Sequence, residues 1–229
     1  MSHRDDIGAT APHEQPYSDR QLAWLRASCR DQRVLDLGCG DGRVAAEVSS
    51  DATRYVALDR DPEALARCGE VGDRVELVEA DLQRPPLEGS QFDRVLCLGN
   101  TFCLLADVDA AVAAMQNWRT LLHEDGLLVL DDIPQSLWPE VAEGHWVNGV
   151  SDEAGMQLVW ASDDAVMVIR TGSDIDPDAS TFRDTERPMR VWTSGALRLA
   201  ARIAGFDPPE HHADGGVLVL RPARPARPT

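Results

Sequence analysis

Three glycines at alternate positions, Gly38, Gly40 and Gly42, interrupt the segment Val34-Leu-Asp-Leu-Gly-Cys-Gly-Asp-Gly-Arg43 directly after a short apolar run. Glycine lets a backbone turn tightly and lets a ligand lie against it with no Cβ in the way. Asp36 adds a carboxylate at the start of that turn. A second carboxylate, Asp59, ends the run Tyr55-Val-Ala-Leu-Asp59. It stands about 20 residues past the loop, the spacing at which an acidic residue accepts hydrogen bonds from ribose hydroxyls. A third, Asp81, follows Glu79-Ala80 and can accept from an adenine amino group. Gly99 and Asn100 end a fourth run, Phe92-Asp-Arg-Val-Leu-Cys-Leu. Each feature has a plainer reading. The glycines can be a mere turn, and Asp59 can be a helix N-cap, although Asp61 followed by Pro62 suits that task better. The GxGxG spacing lacks the last step of GxGxxG, which argues against a dehydrogenase. Four such features in order at four successive segment ends point to one adenosyl ligand.

Those ends must belong to strands of an open α/β sheet, where ligands gather beyond the carboxyl edge. Apolar runs and helical periodicity predict a helix over 18–30, opened by the capping box Ser18-Asp-Arg-Gln21. They then predict strand 33–37, helix 41–49, strand 54–58, helix 61–69, strand 74–79, strand 92–98, helix 107–123 and strand 127–132. The strands are apolar on both faces, as in a parallel sheet covered by helices on either side. After Pro134 the pattern changes. Gln157-Leu-Val-Trp-Ala-Ser162 and Val166-Met-Val-Ile-Arg-Thr-Gly172 alternate like a hairpin turning at Asp163-Asp164, with a third strand over 187–193. Thr193 opens a helix over 194–204, ended by Gly205, and a last strand covers 216–220. The expected organisation is a disordered start over 1–17, one domain over 18–221 with 135–190 as an antiparallel β insertion or cover, and a flexible proline-rich tail over 222–229.

Composition prunes the chemistry. All 22 basic residues are arginine, so mechanisms that need a lysine amine or a Walker lysine are excluded. A formal net charge of −17 opposes nucleic-acid backbones and anionic membranes. No stretch has the length and apolarity of a membrane span, and the first residues lack a secretory signal's pattern. Five cysteines, an odd number without a CxxC pair, read as free thiols in a reducing, cytoplasmic setting.

The segments VLDLGCGDGR, ALDRD, EADLQ and FDRVLCLGNTF resemble the successive motifs of class I S-adenosylmethionine-dependent methyltransferases. The resemblance covers 18–134 and resumes at 191–221. It implies a doubly wound, seven-stranded, mostly parallel sheet with an antiparallel final strand and a β-rich insertion before the last helix. It implies S-adenosyl-L-methionine as cofactor and S-adenosyl-L-homocysteine as product. By position, Asp36 and the loop Gly38, Cys39, Gly40 and Gly42 would hold the methionine part, Asp59 the ribose, and Asp81 with Leu82 the adenine. Gly99 would lie beside the methionine part, with Arg60, Leu98 and Asn100 completing the set. The Leu-Gly-Asn-Thr-Phe run is similar to glycine and sarcosine N-methyltransferases, which implies a small-molecule acceptor taking the methyl on N or O. A base-modifying Asn/Asp-Pro-Pro-Tyr motif is absent; Gly99-Asn100-Thr101-Phe102 stands in its place. A cofactor-binding sensor or partner subunit without activity is the reading from another class, and a protein methyltransferase is a third.

No base stands out. Asn100, His145 and Tyr17 are candidates, His145 equally a surface histidine and Tyr17 equally part of a disordered start. Arg170 and Arg190 can pair with an acceptor carboxylate, or be solvated hairpin arginines. Trp146, Trp160 and Trp192 can cage a cationic acceptor, or fill core. His211-His212 and Asp131-Asp132 are neighbours that a strand points to opposite faces, so no metal is assigned. Replacing Asp59 with Ala is expected to weaken cofactor binding about ten-fold or more, the scale of a lost pair of charge-assisted hydrogen bonds. Calorimetry that finds unchanged affinity removes the assignment.

Overall fold

The computed structural model describes residues 19–131, 149–151, 155–212 and 215–224. Ser18, Tyr17, His145, Trp146 and Asp132, the first part of the insertion and the end of the tail lie outside the described residues. A seven-stranded sheet carries the chain. Its strands are β1 (Arg33–Leu37), β2 (Arg54–Asp59), β3 (Val75–Glu79), β4 (Phe92–Cys97), β5 (Leu122–Asp131), β10 (Glu210–His212) and β11 (Val217–Leu220), in the order β10-β11-β5-β4-β1-β2-β3. β1 to β5 run parallel, and β11 pairs antiparallel with both β5 and β10. Order reverses at β1, so the crevice for a ligand opens beyond β1 and β4.

Alternation along each strand builds both faces of the core. Leu35, Val56, Leu58, Val95, Cys97, Leu128 and Leu130 pack on one side under α4 (Val108–Leu121) and α5 (Ser194–Ile203), around the fully buried Trp118. Val34, Tyr55, Ala57, Leu96, Val129 and Val217 pack on the other under α1 (Asp19–Cys29), α2 (Ala45–Val48) and α3 (Pro62–Gly69). That is why these strands read as continuous apolar runs. The helix starts follow local chemistry. Asp61 caps α3, accepting from the backbone N–H of Glu63 and Ala64, with Pro62 in the first turn. Asp107 caps α4 through the Ala110 N–H, and Thr193 caps α5 through the Ala196 N–H.

Four boundaries differ from the sequence expectation. The helix expected over 41–49 shrinks to Ala45–Val48, because Gly40 and Gly42 hold φ of +55° and +84°, which no helix accepts. β5 starts at Leu122, with a register shift against Phe92 and Arg94 that carries the polar residues 123–126 out of the regular ladder. The expected strand over 187–193 is only β9 (Met189–Arg190). β10 was not expected, since Pro208 and Pro209 precede a polar edge strand with no apolar alternation. The His212 ring on that strand lies 5.6 Å from the Trp24 ring.

The insertion forms a second, antiparallel sheet, β6 (Val150–Ser151), β7 (Met156–Trp160), β8 (Val166–Thr171) and β9, in chain order. Leu158, Met167 and Val191 form a buried cluster with Trp160 and Ile169 against it, and Val159, Val166 and Val168 are buried as well. Ion pairs complete it. Arg170, with only 1% of its side chain exposed, donates from Nε to Glu186 Oε1 at 2.6 Å and from Nη2 to the Thr181 carbonyl at 2.9 Å. Arg190 pairs with Asp164 and donates from Nε to the Ala106 carbonyl at 2.5 Å, which bolts the cover sheet to the segment after β4. Removing one partner of a buried pair leaves an uncompensated charge. Arg170→Met should therefore lower stability by on the order of 3 kcal/mol in urea unfolding. A loss below about 1 kcal/mol would show that the pair is incidental to the cover.

Candidate active site

Two cavities open along the carboxyl ends of β1 to β4. One, of about 620 Å³, is lined by Gly38, Gly40, Asp59, Arg60, Asp81 and Leu82 among others. The other, of about 790 Å³, lies between Asp36, Cys39, Leu98, Gly99 and Asn100 on the sheet side and Val168, Ile169 and Met189 on the cover side. They share Gly38, Gly40, Asp61, Thr101, Leu104 and Arg187, so they form one continuous cleft.

The loop after β1 is tied down by the strand beside it. Asp59 accepts the Gly40 N–H at 2.9 Å on one carboxylate oxygen and the Asp61 N–H at 3.0 Å on the other. Asp59 thus bridges the glycine loop and the start of α3, with further lone pairs still facing the cleft. The three glycines do different jobs. A Cβ on Gly38 would stand 2.5 Å from Thr101 Cγ2, and one on Gly42 would stand 2.8 Å from Cys68 Sγ. A Cβ on Gly40 would meet nothing within 4 Å. Gly40 is the position whose bare backbone faces open space.

A matching tie holds the end of β4. Gly99 and Asn100 both have positive φ, 69° and 62°. Asp131, at the end of β5, accepts the Asn100 N–H at 2.8 Å and an amide N–H of Gln21 from α1 at 3.2 Å. Burial raises the Asp131 pKa to about 6, against the lowering effect of the Asn100 N–H, Gln21 and the Gly99 N–H. Asp36 is only 2% exposed, and burial raises its pKa to about 7. The Tyr55 hydroxyl, donating to Asp36 at 2.7 Å, opposes that rise, while the charges of Asp59 and Asp131 add to it. Burial is what holds both carboxyls above the ordinary range, and a positive ligand beside them would favour their ionised forms.

Of the residues expected at the cofactor, Asp36, Gly38, Cys39, Gly40, Asp59, Arg60, Asp81, Leu82, Leu98, Gly99 and Asn100 all line this cleft. Gly42 does not; its hydrogen points into α3, and its role is packing. Arg170 and Arg190 are not placed for an acceptor, because their guanidinium groups are committed to Glu186 and Asp164. Trp192 is buried against Phe102, with ring centroids 5.0 Å apart, and Trp160 packs in the cover's own core, so neither forms a cage. Sequence reasoning missed Tyr55 and Asp131 as partners of the site, and Thr101, Leu104 and Arg187 as its walls. Asp131 did carry a signal: a carboxylate ending a strand beside the Gly99-Asn100 turn.

Residues 34–126 match the family model described as a methyltransferase domain. The fold as a whole is shared with solved methyltransferases. The matched segment, running from β1 into β5, is similar to a methyltransferase domain. The domain is 29% identical over 145 residues to malonyl-(acyl-carrier protein) O-methyltransferase of Enterobacter lignolyticus, covering 60% of this chain and 55% of that protein. The chain spans about half the length of the curated relatives it matches. In fold it is similar to the sugar N-methyltransferase KedS8 of a Streptoalloteichus species (TM-score 0.65, 18% identity, 98% of this chain and 97% of that one). It is also similar to the amino pentose methyltransferase CalS10 of Micromonospora echinaspora, solved with S-adenosylmethionine bound (TM-score 0.60, 22% identity, 93% and 94%). The methyltransferase cleft allows one test of its electrostatics without any ligand. Tyr55→Phe removes the side-chain hydrogen bond that lowers the Asp36 pKa. The Asp36 pKa should then rise further, by up to about one unit for a bond worth about 1 kcal/mol. Carboxyl carbon NMR across neutral pH reads it, and an unchanged or lower midpoint contradicts the assignment.

Proposed function

We propose that this protein transfers the methyl group of S-adenosylmethionine to a nitrogen or oxygen of a small molecule by in-line displacement. The observation that carries the reading is the continuous cleft, with the glycine loop and three strand-end carboxylates on one wall and the cover sheet on the other. In this reading Asp81 and Leu82 take the adenine, Asp59 the ribose, and Asp36 with Gly38, Cys39 and Gly40 the methionine part. Gly99 and Asn100, pinned by Asp131, border the transferred methyl. The acceptor enters from the side of Val168, Ile169 and Met189. A roofed space of about 790 Å³ is of the size that encloses small ligands. The net charge of −17 disfavours a nucleic-acid acceptor. The five cysteines, all free and buried, suit a reducing compartment such as the cytoplasm. Among the described residues no helix is long and apolar enough to cross a membrane.

Displacement at a sulfonium releases a neutral thioether, so the leaving group needs no acid. The protein's task is to hold acceptor and methyl carbon in line, which can be worth roughly 7–11 kcal/mol. The acceptor must arrive deprotonated or lose its proton to a base or to water. Asn100 is the polar side chain best placed to orient it.

Two measurements test the proposal. Calorimetry should show S-adenosylmethionine binding with release of a proton near neutral pH, because a cationic ligand favours ionised Asp36. Below pH about 7 the carboxyl is protonated in the free protein, so affinity should fall, by up to about ten-fold per pH unit. Incubation with a panel of small amines and alcohols should yield S-adenosylhomocysteine in step with a methylated acceptor. Absence of binding removes the proposal, and binding without turnover on any acceptor favours the sensor reading.

A further inference from the structure

Four arginines belong to the described part of the cover: Arg170, Arg183, Arg187 and Arg190. Three of them face carboxylates. Arg170 meets Glu186, Arg183 lies 3.9 Å from both Asp174 and Glu186, and Arg190 meets Asp164. Arg187 has no hydrogen bond or ion pair among the described residues. In a chain with 39 acidic and 22 basic residues, carboxylate partners are abundant. Arg187 is instead exposed at the cleft, and it is the one arginine that lines both cavities.

Its backbone is held on both sides. Glu186, just before it, has its carboxylate fixed by Arg170 and by the Arg183 N–H at 2.7 Å. Just after it, Pro188 restricts the chain and β9 pairs with Val166 and Met167 of β8. A guanidinium on a fixed backbone loses less freedom on binding and presents a planar fork that suits carboxylate or phosphate oxygens. The residues that line both cavities with it are Gly38, Gly40, Asp61, Thr101 and Leu104.

We propose that Arg187 is the specificity-determining anchor for an oxyanion, a carboxylate or phosphate, carried by the methyl acceptor. The proposal rests on the cleft being the methyl-transfer site. The acceptor's nucleophilic atom then faces Asn100 and the methyl group, while its anionic end is held where the two cavities meet. The carboxylates at the strand ends take the cationic cofactor and Arg187 on the cover side takes the acceptor's oxyanion, so the two ligands are sorted by charge.

The test uses the full chain, saturated with S-adenosylhomocysteine, titrated with malonate or with inorganic pyrophosphate at constant ionic strength. At least one of these anions should bind. Arg187→Ala should weaken that anion about ten-fold or more, the range of a lost charge-assisted pair. Arg187→Lys should retain part of the affinity, because charge survives and the fork does not. Affinity for S-adenosylhomocysteine should stay within about two-fold in both variants. Preference for malonate or pyrophosphate separates a carboxylate from a phosphate acceptor. Three results overturn the proposal: neither anion binds the wild-type complex, the anion binds equally well to Arg187→Ala, or Arg187→Ala instead loses S-adenosylhomocysteine, which would make the cofactor's own carboxylate the partner. Failure of S-adenosylhomocysteine to bind the wild-type protein is seen in the first titration and removes the cofactor reading, and this inference with it.

Discussion

A single hydrogen bond organises the ligand edge of this protein: the Gly40 N–H donating to the Asp59 carboxylate at 2.9 Å. It joins the turn after β1 to the tip of β2, the two strands at the centre of the parallel ladder. The other oxygen of the same carboxylate accepts from the first residue of the α3 cap, so loop, strand and helix share one anchor. Charge-assisted bonds of this kind are shorter and stronger than neutral ones. Here the bond holds open the conformation in which the unsubstituted face of Gly40 looks into the cleft.

The same device recurs at the next strand tip, where Asp131 secures two residues of positive φ against α1. Together with Asp36 it places negative charge where burial makes that charge costly, which is why both groups titrate above the ordinary carboxylate range. A cation beside these two groups would favour their ionised forms. A sulfonium with an ammonium nearby is such a cation, so the electrostatics agree with the proposed function.

The cover sheet follows another logic. Besides its buried apolar residues, arginines do the joining: Arg170 inside the sheet and Arg190 between it and the segment after β4. The residues of this sheet most suggestive of recognition on paper are therefore structural. The residue left free to meet a ligand, Arg187, looks no different from them in sequence.

Much of the fold was legible because its causes are local. Parallel strands buried on both faces show as apolar runs, caps show as Asp or Thr before a helix, and the glycine loop and the acids Asp36, Asp59 and Asp81 fall at strand ends at fixed spacing. Those features alone determined the sheet and its ligand edge. Only the tertiary structure decided how polar groups share partners. Charge pairing and burial depend on residues far apart in the chain, such as Gln21 with Asp131 or Arg170 with Glu186. No periodicity records such distances. So the short strand β10, the packing duty of Gly42, the structural use of Arg170 and Arg190, and the exposed position of Arg187 at the cleft emerged only once the chain had closed on itself.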